Sequence, residues 1–558
     1  MRGDRCVGLG RAWFSGVTGA QGRNRTTDTR IFSPLLYRLS YLGEARIKAA
    51  HLGYVKPPRS RGMAGPSAVR AAAGTMDPGN PQAADTGDGP TRAQVCRIMG
   101  DMKALLISPY ELGRQPHSLA HPAALLRTRG HEVVLVDLSL AALPRTGLED
   151  FSVIGIALGM HTATRIAVSL LPELRRKAKK ARIVCYGVYA PPNRALLKGL
   201  GVDVVLGPEF ENDLLALVAG EKPGADLAKV TFVVPDRTGL PPLTRYAHLK
   251  LPGGERKTVG FIEASRGCKY LCRHCPLVPV YEGRFRAIPR DVVIADAKQQ
   301  IAQGATHLSF GDPDFLNGPT HALRLLALMH DQWPHVTFDA TIKISHILAH
   351  QDLLPQLREY GCLFITSAAE SFDDAVLGHL DKGHTGEDIG RAVALARAAH
   401  IALAPTFVPF TPWTTLDNYV DLLRHVRDLG LINSVAPIQL AIRLLIPEDS
   451  YLLRIPGFRD RLQPFEDAIL GYPWASADPR VDALQARAQA WVERADGEER
   501  GRWETFVGLW RLAHEAAGRE VPALTADCAG PRSPQLSEPW YCCAEPTTAQ
   551  LARCAVGA

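Results

Sequence analysis

GFIEASRGCKYLCRHCPL, residues 260–277, decides how this 558-residue chain is read. A β-forming run, 258–264, leads into a loop carrying Cys268, Cys272 and Cys275. Thiolates are soft ligands suited to iron–sulfur clusters. Offsets of four and three let one short loop reach three corners of a cubane and leave the fourth iron open. Two other readings compete. The three cysteines with His274 or Cys362 would make a structural zinc site, although the second Cys-x-x-Cys knuckle that such sites usually pair is missing. The blandest reading is three unligated cysteines within eight residues. The chain has eleven cysteines, mostly scattered, and no apolar h-region near its start. A reducing cytoplasm and a metal site are expected rather than a disulfide scaffold.

Downstream, two patterns alternate. Helical stretches at 291–303, 320–332, 353–360, up to 399, and 415–429 separate strand-like runs at 307–310, 335–342, 363–367, 401–410 and 436–446. With 258–264 this makes six β/α repeats, a partial (β/α)6 TIM-type barrel over 257–455. Its active site belongs at the C-terminal ends of the strands. SRGC before the first cysteine, the C-x3-C-x2-C spacing and the six repeats together resemble the radical S-adenosylmethionine (SAM) superfamily.

That resemblance implies a [4Fe–4S] cluster on Cys268, Cys272 and Cys275. The open iron would chelate the amino and carboxylate groups of SAM. Reductive cleavage would then yield a 5′-deoxyadenosyl radical. His274, just before the third cysteine, falls where the family places a residue near the adenine. GDPDF (311–315) sits where relatives carry a Gly-Gly-Glu-like turn for the SAM amino group, making Asp312 and Asp314 candidates. SAAES (367–371) resembles an ES motif near SAM and singles out Ser367 and Glu370. DKGHT (381–385) resembles the turn that follows it. PTFVPFTPWTT (405–415) resembles a further family stretch with its glycine replaced. Arg443, in the expected sixth strand, is a candidate bidentate partner for the SAM carboxylate. For each of these polar residues a capping or surface role is the competing reading.

Upstream, short apolar runs at 103–109, 132–138, 153–158, 182–187 and 202–207 alternate with helical stretches such as 121–129 and 164–180. Continuous apolar strands between helices imply an α/β fold with a doubly wound parallel sheet over 102–222. HPAALLRTRGHEVVLVDLS (121–139) and DVVLGPEFENDLLAL (203–217) resemble the cobalamin-binding-type domain that precedes many radical SAM domains. The Asp-x-His-x-x-Gly loop that supplies a cobalt ligand in the base-off mode is missing. His117 and His121, expected in the loop after the first strand, would face a ligand or be ordinary loop histidines. Two readings stay open: a bound cobalamin, or a sheet that only packs on the barrel. Residues 223–256 are Pro-rich and read as a connection. LPPLTRYAHL (240–249) resembles the linker ahead of the cluster motif in such two-domain enzymes.

Residues 456–520 read as helical, with Phe506, Leu509, Trp510 and Leu512 spaced to pack on the barrel. Near the end comes SEPWYCCAEP (537–546). Adjacent cysteines form only a strained vicinal disulfide, bind a soft metal or act as separate thiols. The string resembles the radical SAM family named for its CUAEP or CCAEP tail, in which selenocysteine can stand where Cys543 stands here. The resemblance makes Cys542 and Cys543 candidate catalytic residues, with redox or thiolate chemistry near the substrate.

The formal charge of +7 is lopsided. Residues 1–101 hold 15 Lys/Arg against 7 Asp/Glu, while the rest is nearly balanced. The bulk of the chain therefore lacks the charge signature of a nucleic-acid binder. No run of about 18 apolar residues suits a membrane span. Residues 62–90 have a linker-like composition. The Arg-rich first forty residues fit a transit peptide. GRNRTTDTRIFSPLLYRLSYLG (22–43) fits better the translation of a tRNA gene on the wrong strand, which predicts a native start at Met99 or Met102. The reading as a whole is a radical SAM enzyme of the cytoplasm. It would perform hydrogen abstraction or cobalamin-assisted methyl transfer, fed by a flavodoxin or ferredoxin, with substrate open. The rival is a non-catalytic zinc-binding or redox-sensing module built on the cysteine clusters.

Overall fold

Strand Lys103–Ser108 (β1) is buried at five of its six positions, so it takes helices on both faces. The computed structural model describes residues 102–222 and 230–538. Around β1 stand Glu132–Asp137 (β2), Val153–Ala157 (β3), Arg182–Tyr186 (β4) and Val204–Val205 (β5). All pair in parallel, in the order β2-β1-β3-β4-β5. Three helices cross between them, His117–Arg127 (α1), His161–Lys177 (α2) and Arg194–Gly199 (α3), and Glu211–Val218 (α4) follows β5. Leu105, Ile107, Ile154 and Ile183 bury one face of the sheet against Ile166, Leu170 and Leu174 of α2. Leu106, Val153 and Val184 bury the other against Leu119 and Leu126 of α1 and Leu214 of α4. This is the expected doubly wound sheet. Its order reverses at β1, so the loops after β1 and β3 open the crevice where such sheets bind ligands.

The second sheet has seven strands. His248–Lys250 (β6) runs antiparallel to Arg256–Ile262 (β7). The short strands Ser265–Gly267 (β8) and Phe285–Ala287 (β9) form a separate antiparallel hairpin, with the single turn Val278–Tyr281 (α5) inside its loop. The parallel array starts at β7 and continues through His307–Phe310 (β10), Thr337–Thr341 (β11), Cys362–Glu370 (β12) and Ala402–Phe407 (β13). Helices Arg290–Ala302 (α6), Pro319–Gln332 (α7), Ile344–Ala349 (α8), Leu354–Glu359 (α9), Asp374–Leu380 (α10), Gly386–Ala398 (α11) and Leu416–Asp428 (α12) cover its outer face. Thr385 and Thr415 start α11 and α12 with capping boxes, which satisfies N–H groups that a helix start leaves unpaired. Pro479–Gly497 (α13) and Arg502–Ala516 (α14) complete the helical C-terminal segment. Phe506, Leu509 and Trp510 are buried in the barrel core, and Leu512 packs against it, as their spacing predicts. Gln535–Leu536 (β14) then pairs with β6 at the sheet edge.

The array curls into the expected partial barrel, with one correction. Residues 436–446 do not form a sixth strand. Pro437–Leu440 is a 3-10 turn, and the next stretch touches the barrel by a single parallel bridge, Phe410 to Arg443. The cause is local. Pro437 has no N–H to give a ladder, and the Gln439 side chain takes the hydrogen bond from Phe407 N (3.3 Å) that a sixth strand would accept. The fourth barrel strand is longer than expected and carries Glu370 at its last position.

Candidate functional site

The cysteine loop is closed at its base by the β8/β9 hairpin and fixed at its tip. Gly267, directly before Cys268, has φ +74°, and a Cβ there would lie 2.2 Å from Arg284 O. Only glycine fits that approach. Both hairpin strands are tied to the stretch where the loop after β5 enters α4. Arg286 Nε lies 2.6 Å from Glu209, and Arg266 hydrogen-bonds to the fully buried Glu211. Burial pushes the Glu211 carboxyl up, but Arg266 and His121 outweigh it and hold it at about 2. At the tip, Arg273 N donates to Leu380 O (2.9 Å) and its guanidinium to Gly378 O and His379 O (both 3.1 Å). Leu452 N donates to Arg273 O (3.2 Å).

Within this clamp Cys272 is buried, and Cys268 and Cys275 are half-buried. Burial pushes the Cys275 thiol up to about 12 and also raises Cys268, with neighbouring thiols adding to the Cys275 shift. Metal binding there must release protons. Among the described residues, no three His, Cys, Asp or Glu converge as ligands of one metal ion. Cys362 begins β12, whose other end carries Glu370, so it lies roughly 26 Å down the barrel by the rise of a strand and is no fourth ligand.

The strand ends around the loop are polar and buried. Glu370 ends β12 at φ +67° beside a register shift, an uncommon conformation for a residue with a side chain. One of its oxygens sits 3.1 Å from both His274 Nε2 and Lys382 Nζ. Burial alone would raise the Glu370 carboxyl, but Lys382 and His274 reverse this and hold it well below its ordinary value. Lys343, just past β11, places Nζ 3.4 Å from Cys272 Sγ. Asn317 Oδ1 accepts from Lys269 N (3.3 Å) and lies 4.0 Å from Cys268 Sγ. Asn317 Nδ2, Ser367 Oγ, His274 Nδ1 and His384 Nδ1 are buried without a hydrogen-bond partner among the described residues. Unpaired buried polar atoms are costly unless something binds there. The donors therefore fit a polar cofactor beside the thiols.

The other sequence candidates divide. Asp312 is buried and accepts from Ala264 N (2.9 Å) and Ser265 Oγ, so it braces the approach to the hairpin. Burial pushes its carboxyl up to about 7. Asp314 Oδ2 lies 2.7 Å from His346 Nδ1, and its other oxygen accepts from Lys343 N (3.4 Å). Ser367 is fully buried on β12. Arg443 is not brought to the cysteines. Its guanidinium pairs with Asp482 (2.7 Å) and Trp474 O and stacks 3.6 Å over the Trp474 ring, so its contacts lie in the C-terminal segment. His117 and His121 open α1 rather than a loop, and pair with Glu263 (3.5 Å) and Glu211 (3.3 Å). Cys542 and Cys543 lie outside the described residues. Sequence reasoning missed Lys343, Asn317 and the Glu209/Glu211 clamp. A lone lysine two residues beyond a barrel strand was the available signal for the first.

Residues 262–426 match the family model described as the radical SAM superfamily. This chain carries a radical SAM domain. The matched span runs from the end of β7 into α12 and takes in the whole cysteine loop. Such a protein is an enzyme whose cofactors are a [4Fe–4S] cluster and SAM. The fold is similar to that of the cobalamin-dependent SAM radical enzyme OxsB with aqua-cobalamin and SAM bound: TM-score 0.53, 14% identity, 72% of this chain and 68% of that one. Apo, selenomethionine-labelled OxsB gives TM-score 0.55 at 13% identity, over 72% of this chain and 67% of that one. The radical SAM methyltransferase TsrM from Kitasatospora setae, with cobalamin and [4Fe–4S] cluster bound, gives 0.49 at 17% identity, over 76% and 92%. Among the described residues no helix is long and apolar enough to cross a membrane.

Proposed function

We propose that Cys268, Cys272 and Cys275 hold the [4Fe–4S] cluster and that the protein reductively cleaves SAM beside them. The observation that carries this is the clamped three-thiol loop at the strand ends of the partial barrel, ringed by Lys343, Lys382, Glu370 and unpaired donors. When bound there, a cluster would supply the electron for reductive cleavage of the SAM sulfonium, which would leave methionine and a 5′-deoxyadenosyl radical. The chain's own residues bind and orient. Glu370 is fixed by His274 and Lys382 as an acceptor for the SAM amino group. Ser367 Oγ and His384 Nδ1 offer polar atoms without a partner among the described residues. Asp312 and Asp314 hold the backbone around the loop. The electron comes from a low-potential donor of flavodoxin or ferredoxin type. A Cys272→Ala variant is expected to lose cluster absorption and 5′-deoxyadenosine formation together; continued 5′-deoxyadenosine formation would reject the assignment.

The carboxyl edge of the first sheet is the place for cobalamin in this reading. The fold shared with OxsB, and the crevice after β1 and β3, support it. His117 and His121 each meet a carboxylate through Nδ1, a contact that orients a ligating imidazole as readily as a structural one. With cobalamin bound, methyl transfer joins hydrogen abstraction as the reaction. The tail reaches toward the same edge. Glu538 accepts from Tyr110 OH in the loop after β1, and Cys542 follows four residues later. The CCAEP resemblance supports Cys542 and Cys543 acting near the substrate.

A further inference from the structure

We propose that Lys343 tunes the reduction potential of the metal centre by holding its ammonium against the Cys272 corner, an inference that rests on the cluster assignment above. The position of Lys343 is built, not incidental. Its backbone N is held by Asp314 Oδ1 (3.4 Å). Its Nζ lies 3.3 Å over the Tyr270 ring, and Tyr270 sits between the first two cysteines of the loop. That ring packs edge-on against His346 at 5.1 Å. Lys343 is 6% exposed, and its Nζ donates toward Cys272 Sγ at 3.4 Å.

Charge accounting separates the two lysines of the site. Lys382 is neutralised by Glu370. Lys343 forms no ion pair with a carboxylate among the described residues, and a buried ammonium without a counter-charge is strongly disfavoured. An aromatic face offsets part of that cost. The remaining negative partner at hand is sulfur. Three thiolates on a cluster carry net negative charge, and reduction adds one more electron. A fixed cation and an N–H···S contact stabilise the reduced form more than the oxidised one. Lys343 therefore raises the potential and eases the one-electron transfer from the external donor; no bond is made or broken in this step.

The test is a redox titration of the anaerobically reconstituted full chain, followed by EPR and without SAM, using dithionite as reductant. Wild type, Lys343→Met, Lys343→Gln and Lys343→Arg are compared at matched iron and sulfide content. The Met and Gln variants are expected to shift the reduction equilibrium at least tenfold toward the oxidised form, about 59 mV for a one-electron couple. Lys343→Arg is expected to stay near wild type. Unchanged potentials in Met and Gln would overturn the proposal. So would a shift seen only after SAM is added, which would make Lys343 a SAM carboxylate partner. Loss of the cluster from both neutral variants would make it a folding residue of the loop and would equally overturn it. A wild-type protein that takes up no cluster would instead reject the underlying assignment.

Discussion

Asp312 shows what a single residue contributes. It is buried and braces Ala264 N and Ser265 Oγ, at the base of the cysteine loop. Its carboxyl is pushed up to about 7 by burial, against about 3.9 in an unfolded chain. The folded state therefore binds the extra proton between these values, and stability falls as pH rises from about 4 to 7. The size is of the order of 4 kcal/mol. His384, lowered to about 4 by burial and Lys382, works in the opposite sense below its unfolded value. The informative quantity is thus the difference between wild type and Asp312→Asn. Urea unfolding of the cluster-free protein at pH 5 and pH 8 should show a larger stability loss in wild type than in the variant, which keeps the raised carboxyls of Glu111 and Asp137; parallel pH profiles would contradict it. At this scale the three cysteines were legible because their meaning lies in spacing of three and four. Lys343 was not, because its meeting with Cys272 is made by two barrel elements far apart in sequence. Arg443 was misjudged for the same reason: its partners, Asp482 and Trp474, come from a segment beyond the barrel.

At the scale of elements, the hairpin of β8 and β9 is the part that matters most. It is too short to announce itself by periodicity, since three-residue strands carry little pattern. Its stability comes from elsewhere, through Glu211–Arg266 and Glu209–Arg286. Glu211→Gln leaves Arg266 a buried guanidinium with only the partly exposed Glu263 as ion partner (3.1 Å). Removing one member of a buried pair typically costs about 3–5 kcal/mol. The variant is therefore expected to melt earlier and to take up less iron on reconstitution. Normal iron content with an unchanged melting temperature would show that the first sheet does not brace the loop. The missing sixth strand has a related cause. Its residues look β-forming, but Pro437 was a local signal against a strand, whereas the capture of Phe407 N by the Gln439 side chain was not readable from local pattern.

Over the whole molecule, the two sheets and their order of appearance were readable, because each rests on apolar strands alternating with helices. How they meet was not. The contacts join residues far apart in sequence: Arg237 bridges to Asp296 at 2.9 Å, and Glu538 reaches Tyr110. The tail's anchoring yields a prediction at this scale. A Cys542→Ser, Cys543→Ser double variant is expected to load iron and form 5′-deoxyadenosine as wild type does, since the cluster ligands lie in the loop; loss of iron would make the tail cysteines ligands instead. The most direct test of the central claim is EPR of the reduced, anaerobically reconstituted protein before and after SAM. A [4Fe–4S]+ signal with about four irons per chain, altered by SAM and followed by 5′-deoxyadenosine, is the predicted result. A colourless protein holding one zinc, or a cluster signal that SAM leaves unchanged, would contradict it.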